Sequence, residues 1–89
     1  MKAIITVIGK DQVGIIALVC NILAEVNINV LDINQTTMRD YFTMIMLVDI
    51  TAANKPFKDV SERLEAAGES KGLTVQIQRQ EIFDSMHKI

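Results

Sequence analysis

Between residues 29 and 51 two long β-type runs follow one another with only Arg39-Asp40 between them. In the second, "YFTMIMLVDIT", the residues Phe42, Met44, Met46, Val48 and Ile50 recur at every other position. That is the period of a strand with one buried face. The first, "NVLDINQTTM", places Leu31 and Ile33 on one side and Asp32 and Asn34 on the other, while Ile28 and Val30 follow the opposite register. A bulge or bend near Val30 would reconcile the two registers. Two adjacent strands with a tight turn form an antiparallel hairpin, and this hairpin lies in the middle of the chain.

Each flank of the hairpin has helical period. Upstream, Ile15, Val19, Ile22, Leu23 and Val26 form one apolar stripe, with Ala17, Asn21 and Glu25 off it. Asn27 is suited to stop this helix, because asparagine tolerates the left-handed conformation found at helix ends. Downstream, Asn54-Lys55-Pro56 is a start signal, and Phe57, Val60, Leu64 and Ala67 repeat the helical spacing before Gly68 and Gly72. Outside the helices lie "AIITVI" at residues 3–8 and "LTVQIQRQ" at 73–80, the latter with Leu73, Val75 and Ile77 inward and Thr74, Gln76 and Gln78 outward. Ile82, Phe83, Met86 and Ile89 suggest a short terminal helix.

The expected elements are therefore strand 2–9, helix 14–26, strands 29–39 and 41–51, helix 56–70, strand 73–80 and a short helix 82–88, in one domain covering residues 1–89. Right-handed crossovers then leave room for one strand between those that each helix connects. The fold class is α+β, a ferredoxin-like βαββαβ sandwich with four antiparallel strands in the order 4-1-3-2 and both helices on one face. Ile4, Ile8, Ile45 and Leu47 fall partly on the other face, and such a surface points to a partner.

Composition narrows the function. With 89 residues, formal net charge −2 and 22% charged residues, the chain has no large basic field for a nucleic-acid backbone. RNA-recognition modules of this topology stack bases on aromatics of the central strands. Here the first strand has none, and Tyr41 and Phe42 point to opposite faces. No apolar run nears the ~20 residues of a membrane span, and Met1-Lys2 leads directly into a strand. The expectation is a cytoplasmic protein without a membrane or nucleic-acid partner. Cys20 stands alone inside the first helix, without a nearby cation to lower its pKa. The one histidine, His87, lies near the C-terminus, and Asp32, Asp40 and Asp49 lack metal-ligand spacing. No catalytic group, metal or cofactor is expected. An acylphosphatase-type reaction would need an arginine in the first loop, which has none.

That loop, "GKDQVG", joins the first strand to the first helix. A helix starting near Gly14 offers unpaired amide donors, and glycine there lets a carboxylate approach the backbone. Asp11 could pair with an ammonium, and Lys10 could steer an anion. Alternatively, Gly9 and Gly14 only shape a turn that Asp11 caps. From the residues alone the structural turn is the favoured reading.

The stretch "GKDQVGIIALVCNILAEVNINVLDINQ", residues 9–35, resembles the opening of an ACT domain, with Asp11, Gly14, the "ILAEVNINV" helix exit and Asn29 at the matching positions. It is most similar to stand-alone single-ACT proteins of uncharacterised function, related in turn to repressors of the glycine cleavage system. The resemblance implies regulation by a small molecule, typically an amino acid, at a homodimer seam, with the signal passed to a separate downstream protein. In serine-sensing members, domains pair through their first helices and second strands, and the ligand lies between the loop of one subunit and the start of the second strand of the other. Carried over by position, the ligand-binding residues are Lys10, Asp11, Gln12, Val13 and Gly14, faced by Asn29. The loop departs from the serine-sensing pattern at Gly9, Asp11 and Val13, where those members carry histidine, asparagine and frequently proline.

Overall fold

The computed structural model describes residues 1–10 and 12–81. The elements run β1 Lys2–Lys10, α1 Ile15–Glu25, β2 Asn29–Met38, β3 Tyr41–Asp49, α2 Phe57–Glu69 and β4 Thr74–Arg79. The sheet order is β2-β3-β1-β4, with every neighbouring pair antiparallel. This is the expected order 4-1-3-2 read from the other edge. The expected terminal helix, 82–88, lies outside the described residues.

Local chemistry sets the ends of the elements. α1 begins at Ile15 rather than at residue 14, because Gly14 is left-handed at φ 88°. It ends before Asn27, also left-handed at φ 59°. Pro56 remains extended at φ −59°, ψ 150°, so α2 begins one residue after the proline. β2 stops at Met38 because Arg39 turns left-handed at φ 56°. The side chain of Asp49 accepts the Thr51 amide at 2.9 Å and ends β3 in a turn. The bulge falls where the two registers of β2 collide, between Val30 and Asp32.

The core lies between the helices and one sheet face. Ile5, Val7, Met44, Met46 and Val48 from β1 and β3 meet Val19, Leu23 and Leu64 from the helices. Each large side chain fully removed from water contributes about 1.5–3 kcal/mol. Both helical stripes read from the sequence are buried, although Phe57 and Ala67 at the ends of the second are only partly covered. The helices differ on their outer sides. α2 presents Lys58, Asp59, Glu62, Arg63 and Glu65 to solvent, whereas α1 presents Ile16, Ala17 and Ala24 together with Asn21 and Glu25. β2 is an edge strand, largely exposed along its length.

Candidate functional site

The β1–α1 loop is anchored from below. The Gln12 side-chain amide donates to the Lys71 carbonyl at 2.9 Å, tying the loop to the α2–β4 turn. Gly9 pairs with Phe42 and therefore faces the core side. A Cβ at that position would lie 2.5 Å from Cδ2 of Leu73, so the close approach of β1 to the turn favours glycine, and any other residue must displace that side chain. At Gly14 a Cβ would meet nothing within 4 Å, and glycine is set there by the left-handed backbone alone. The two glycines thus have different causes, one steric and one torsional.

Above these anchors the loop is open. Val13 is fully exposed at the tip, and Lys10 is exposed at the end of β1. The first helical bond runs from the Leu18 amide to the Gly14 carbonyl at 2.9 Å. The amides of Ile15, Ile16 and Ala17 precede it and form the positive end of the α1 dipole. The hollow beneath the loop, bordered by Gln12, Gly14, Ile15, Leu18, Lys71 and Leu73, measures about 10 Å³, space for about one water molecule. A metabolite held by these amides would therefore need a second wall. Asp11 lies outside the described residues.

Asn29 does not supply that wall within the same chain. It pairs with Asp49, which pairs with Lys2, whereas Lys10 pairs with Tyr41 at the other end of the sheet. β1 is nine residues long, which places its ends about 27 Å apart. Four of the sequence-derived residues, Lys10, Gln12, Val13 and Gly14, are therefore gathered at one end, and Asn29 stands alone at the other. Sequence reasoning missed Lys71 and Leu73, which hold the loop from a turn some 60 residues away in the chain. The alternation that assigned Leu73 inward was the available signal for its part in this packing.

The ACT domain profile matches residues 2–78, nearly the whole of the described chain. The chain belongs to the ACT domain family. A UPF0237 protein of Clostridium acetobutylicum is 54% identical over 89 residues, which is 100% of both chains. Among solved structures, an ACT domain protein from Streptococcus pneumoniae is 40% identical, covers 94% of each chain and superposes with a TM-score of 0.81. The ligand-free regulatory subunit of aspartate kinase from Thermus thermophilus is 29% identical over 86% of this chain and 50% of its own, with a TM-score of 0.65. ACT domains thus occur both as regulatory parts of larger assemblies and as single-domain chains of the present length. Among the described residues of this ACT domain, no helix is long and apolar enough to cross a membrane, and no group of three potential metal ligands comes together.

Proposed function

We propose that this ACT domain is a non-catalytic regulator that binds an amino acid or related small metabolite between two copies of itself and passes the signal to a separate protein. The observation that carries this reading is the separation of the loop from Asn29 by the length of the sheet. A two-fold axis that sets β2 antiparallel to β2 of a second copy reverses the ends of the partner. The Lys10–Gly14 loop of one protomer then approaches Asn29 of the other. The surfaces such pairing would cover carry exposed apolar side chains among the polar ones of the edge: Ile16 on α1 is 38% exposed, and Leu31 and Ile33 on β2 are 44% and 40% exposed.

In this arrangement the free amides at the start of α1 take the carboxylate. The Asn29 amide group supplies both a donor and an acceptor to the ligand's head group. Ligand would stabilise the assembled state by as much as its differential affinity for the two states. Calorimetric titration and thermal-shift screening against the proteinogenic amino acids test the reading, with sedimentation reporting the oligomer. A dimer whose stability rises with one or a few amino acids is expected. Uniform absence of a shift refutes the sensor.

A second reading is favoured by the uncovered sheet face, where Ile8, Met38, Tyr41 and Ile45 are exposed. On that reading the chain is a ligand-free interaction module, acting through its sheet edge or open face, with a purely structural loop. An Asp11→Ala/Asn29→Ala double variant separates the two. It abolishes a response to ligand on the first reading and leaves partner binding unchanged on the second.

A further inference from the structure

The core is left open at one place far from the loop. Of the partly covered apolar side chains packed against the core, Ile50, Ala53 and Phe57 border a single cleft. Ile28, Val60 and Ile77, all buried, form its floor. The cleft measures about 100 Å³. An apolar cavity of roughly 150 Å³ accommodates benzene, so this one suits a branched aliphatic chain of about four carbons. One cation, Lys55, lines it, and outside the lining the guanidinium of Arg79 lies 5.1 Å from the centre of the Phe57 ring that forms part of the wall. Among the described residues neither cation forms an ion pair with a carboxylate.

Two further features prepare the cleft for an anion. The first bond of α2 runs from the Val60 amide to the Pro56 carbonyl, so the amides of Phe57, Lys58 and Asp59 precede the helical ladder beside Lys55. Asp59 is the one acidic residue of that turn, which Lys55 and Lys58 flank, while Glu81 borders a separate hollow together with Arg79. The wall is also fixed in place. The Asn27 side chain donates to the Ala52 carbonyl at 3.0 Å, the Asn54 side chain to the Glu25 carbonyl at 3.2 Å, and the Asn54 amide to the Val26 carbonyl at 3.0 Å. These bonds tie the β3–α2 connection to the end of α1, giving the preformed apolar hollow with few polar groups that small ligands use. A broader hollow of about 260 Å³ over β4 is bordered instead by Glu65 and Glu69 and has no cation in its lining.

From this geometry we propose a second ligand site, for a short branched-chain monocarboxylate. Its aliphatic tail enters the cleft, and its carboxylate meets Lys55, Arg79 and the first amides of α2. An amino acid with the same side chain is disfavoured, because its ammonium would face the two cations. The site lies wholly within one chain, and only Ile28 of its floor adjoins Asn29 at the proposed seam.

Amide-resolved NMR titration of the full chain tests it, with isovalerate as the probe, and isovaleramide and leucine as controls. Saturable shifts are expected at Ile50, Ala53 and Phe57–Val60, with residues 12–14 unmoved. The neutral amide and leucine should bind roughly tenfold more weakly or worse. Lys55→Glu, a change at an exposed position, should weaken isovalerate by a similar factor while the thermal midpoint stays in place. Arg79→Gln should weaken it less. Equal shifts from isovalerate and isovaleramide, binding of leucine at the same residues with equal affinity, or full retention of binding in K55E would each overturn the assignment.

Discussion

Substituting Gly9→Ala tests whether the loop is shaped by packing rather than by a ligand. The added Cβ would lie 2.5 Å from Cδ2 of Leu73, and 3.3 Å from both the Gly72 carbonyl oxygen and Cα of Leu73. Leu73 is buried, and its amide donates to the Gly68 carbonyl at 2.8 Å, so the α2–β4 turn cannot retreat without breaking the end of α2. Relief must come from moving the Leu73 side chain, which is buried but borders the hollows beneath the loop and over β4, an overpacking that costs about 1–3 kcal/mol. At a mid-range 2 kcal/mol, a domain of this size loses roughly 8–16 °C in thermal midpoint. The assay is urea and thermal unfolding at fixed protein concentration, repeated in a Leu73→Val background. L73V removes the clashing Cδ atoms at a cost of about one methylene, ~1 kcal/mol. If the contact is responsible, G9A costs less than about 1 kcal/mol in that background, a coupling of about 1 kcal/mol or more. A G9A protein as stable as the parent refutes the reasoning, as does the same loss in both backgrounds.

Gly14→Ala is expected to destabilise by about 1–2 kcal/mol through its left-handed backbone alone, whereas Gly14→Asn recovers part of that loss, and chemical denaturation reports both. Asp49 has its carboxyl held below the ordinary carboxylate value, first by hydrogen bonds from the Thr51 hydroxyl and amide and then by the N-terminal ammonium, which is 3.6 Å away. A depressed folded-state pKa contributes stability above the unfolded value that disappears as pH falls through the folded one. The difference in midpoint between the parent and Asp49→Asn should therefore be full above about pH 5 and close below about pH 4. A difference that persists undiminished in acid refutes that assignment.

Features written in neighbouring residues were legible in the sequence. Asn27 adopts the left-handed conformation that its position implied, Arg39 lies in the expected tight turn, and the conflict of registers around Val30 located the bulge. The order of elements followed from two periods, 3.6 and 2, and from the handedness of crossovers. Features created by distant residues were not legible. Gln12 reads as an available loop amide until the turn that receives it, at Lys71, is in place. Gly9 reads as loop punctuation, yet it is set by Leu73 across the sheet edge. The cleft at Ile50–Phe57 had no sequence signal either, since its walls come from the α1–β2 turn, the β3–α2 connection, α2 and β4.

β1 is the first strand of the chain and the last to be completed. It lies inside the sheet, paired on one side with β3 and on the other with β4, where Ala3 meets Arg79 and Ile8 meets Thr74. During synthesis the hairpin of β2 and β3 can form early, but one whole edge of β1 has no partner until residues 74–79 leave the ribosome. For that interval the nascent chain presents an apolar strand, "AIITVI", with open hydrogen-bonding groups. Its final pairing closes a loop of nearly the full length of the protein, which makes folding slow for the size of the domain. A chain terminated anywhere before β4 would carry that open strand permanently, as a template for aggregation.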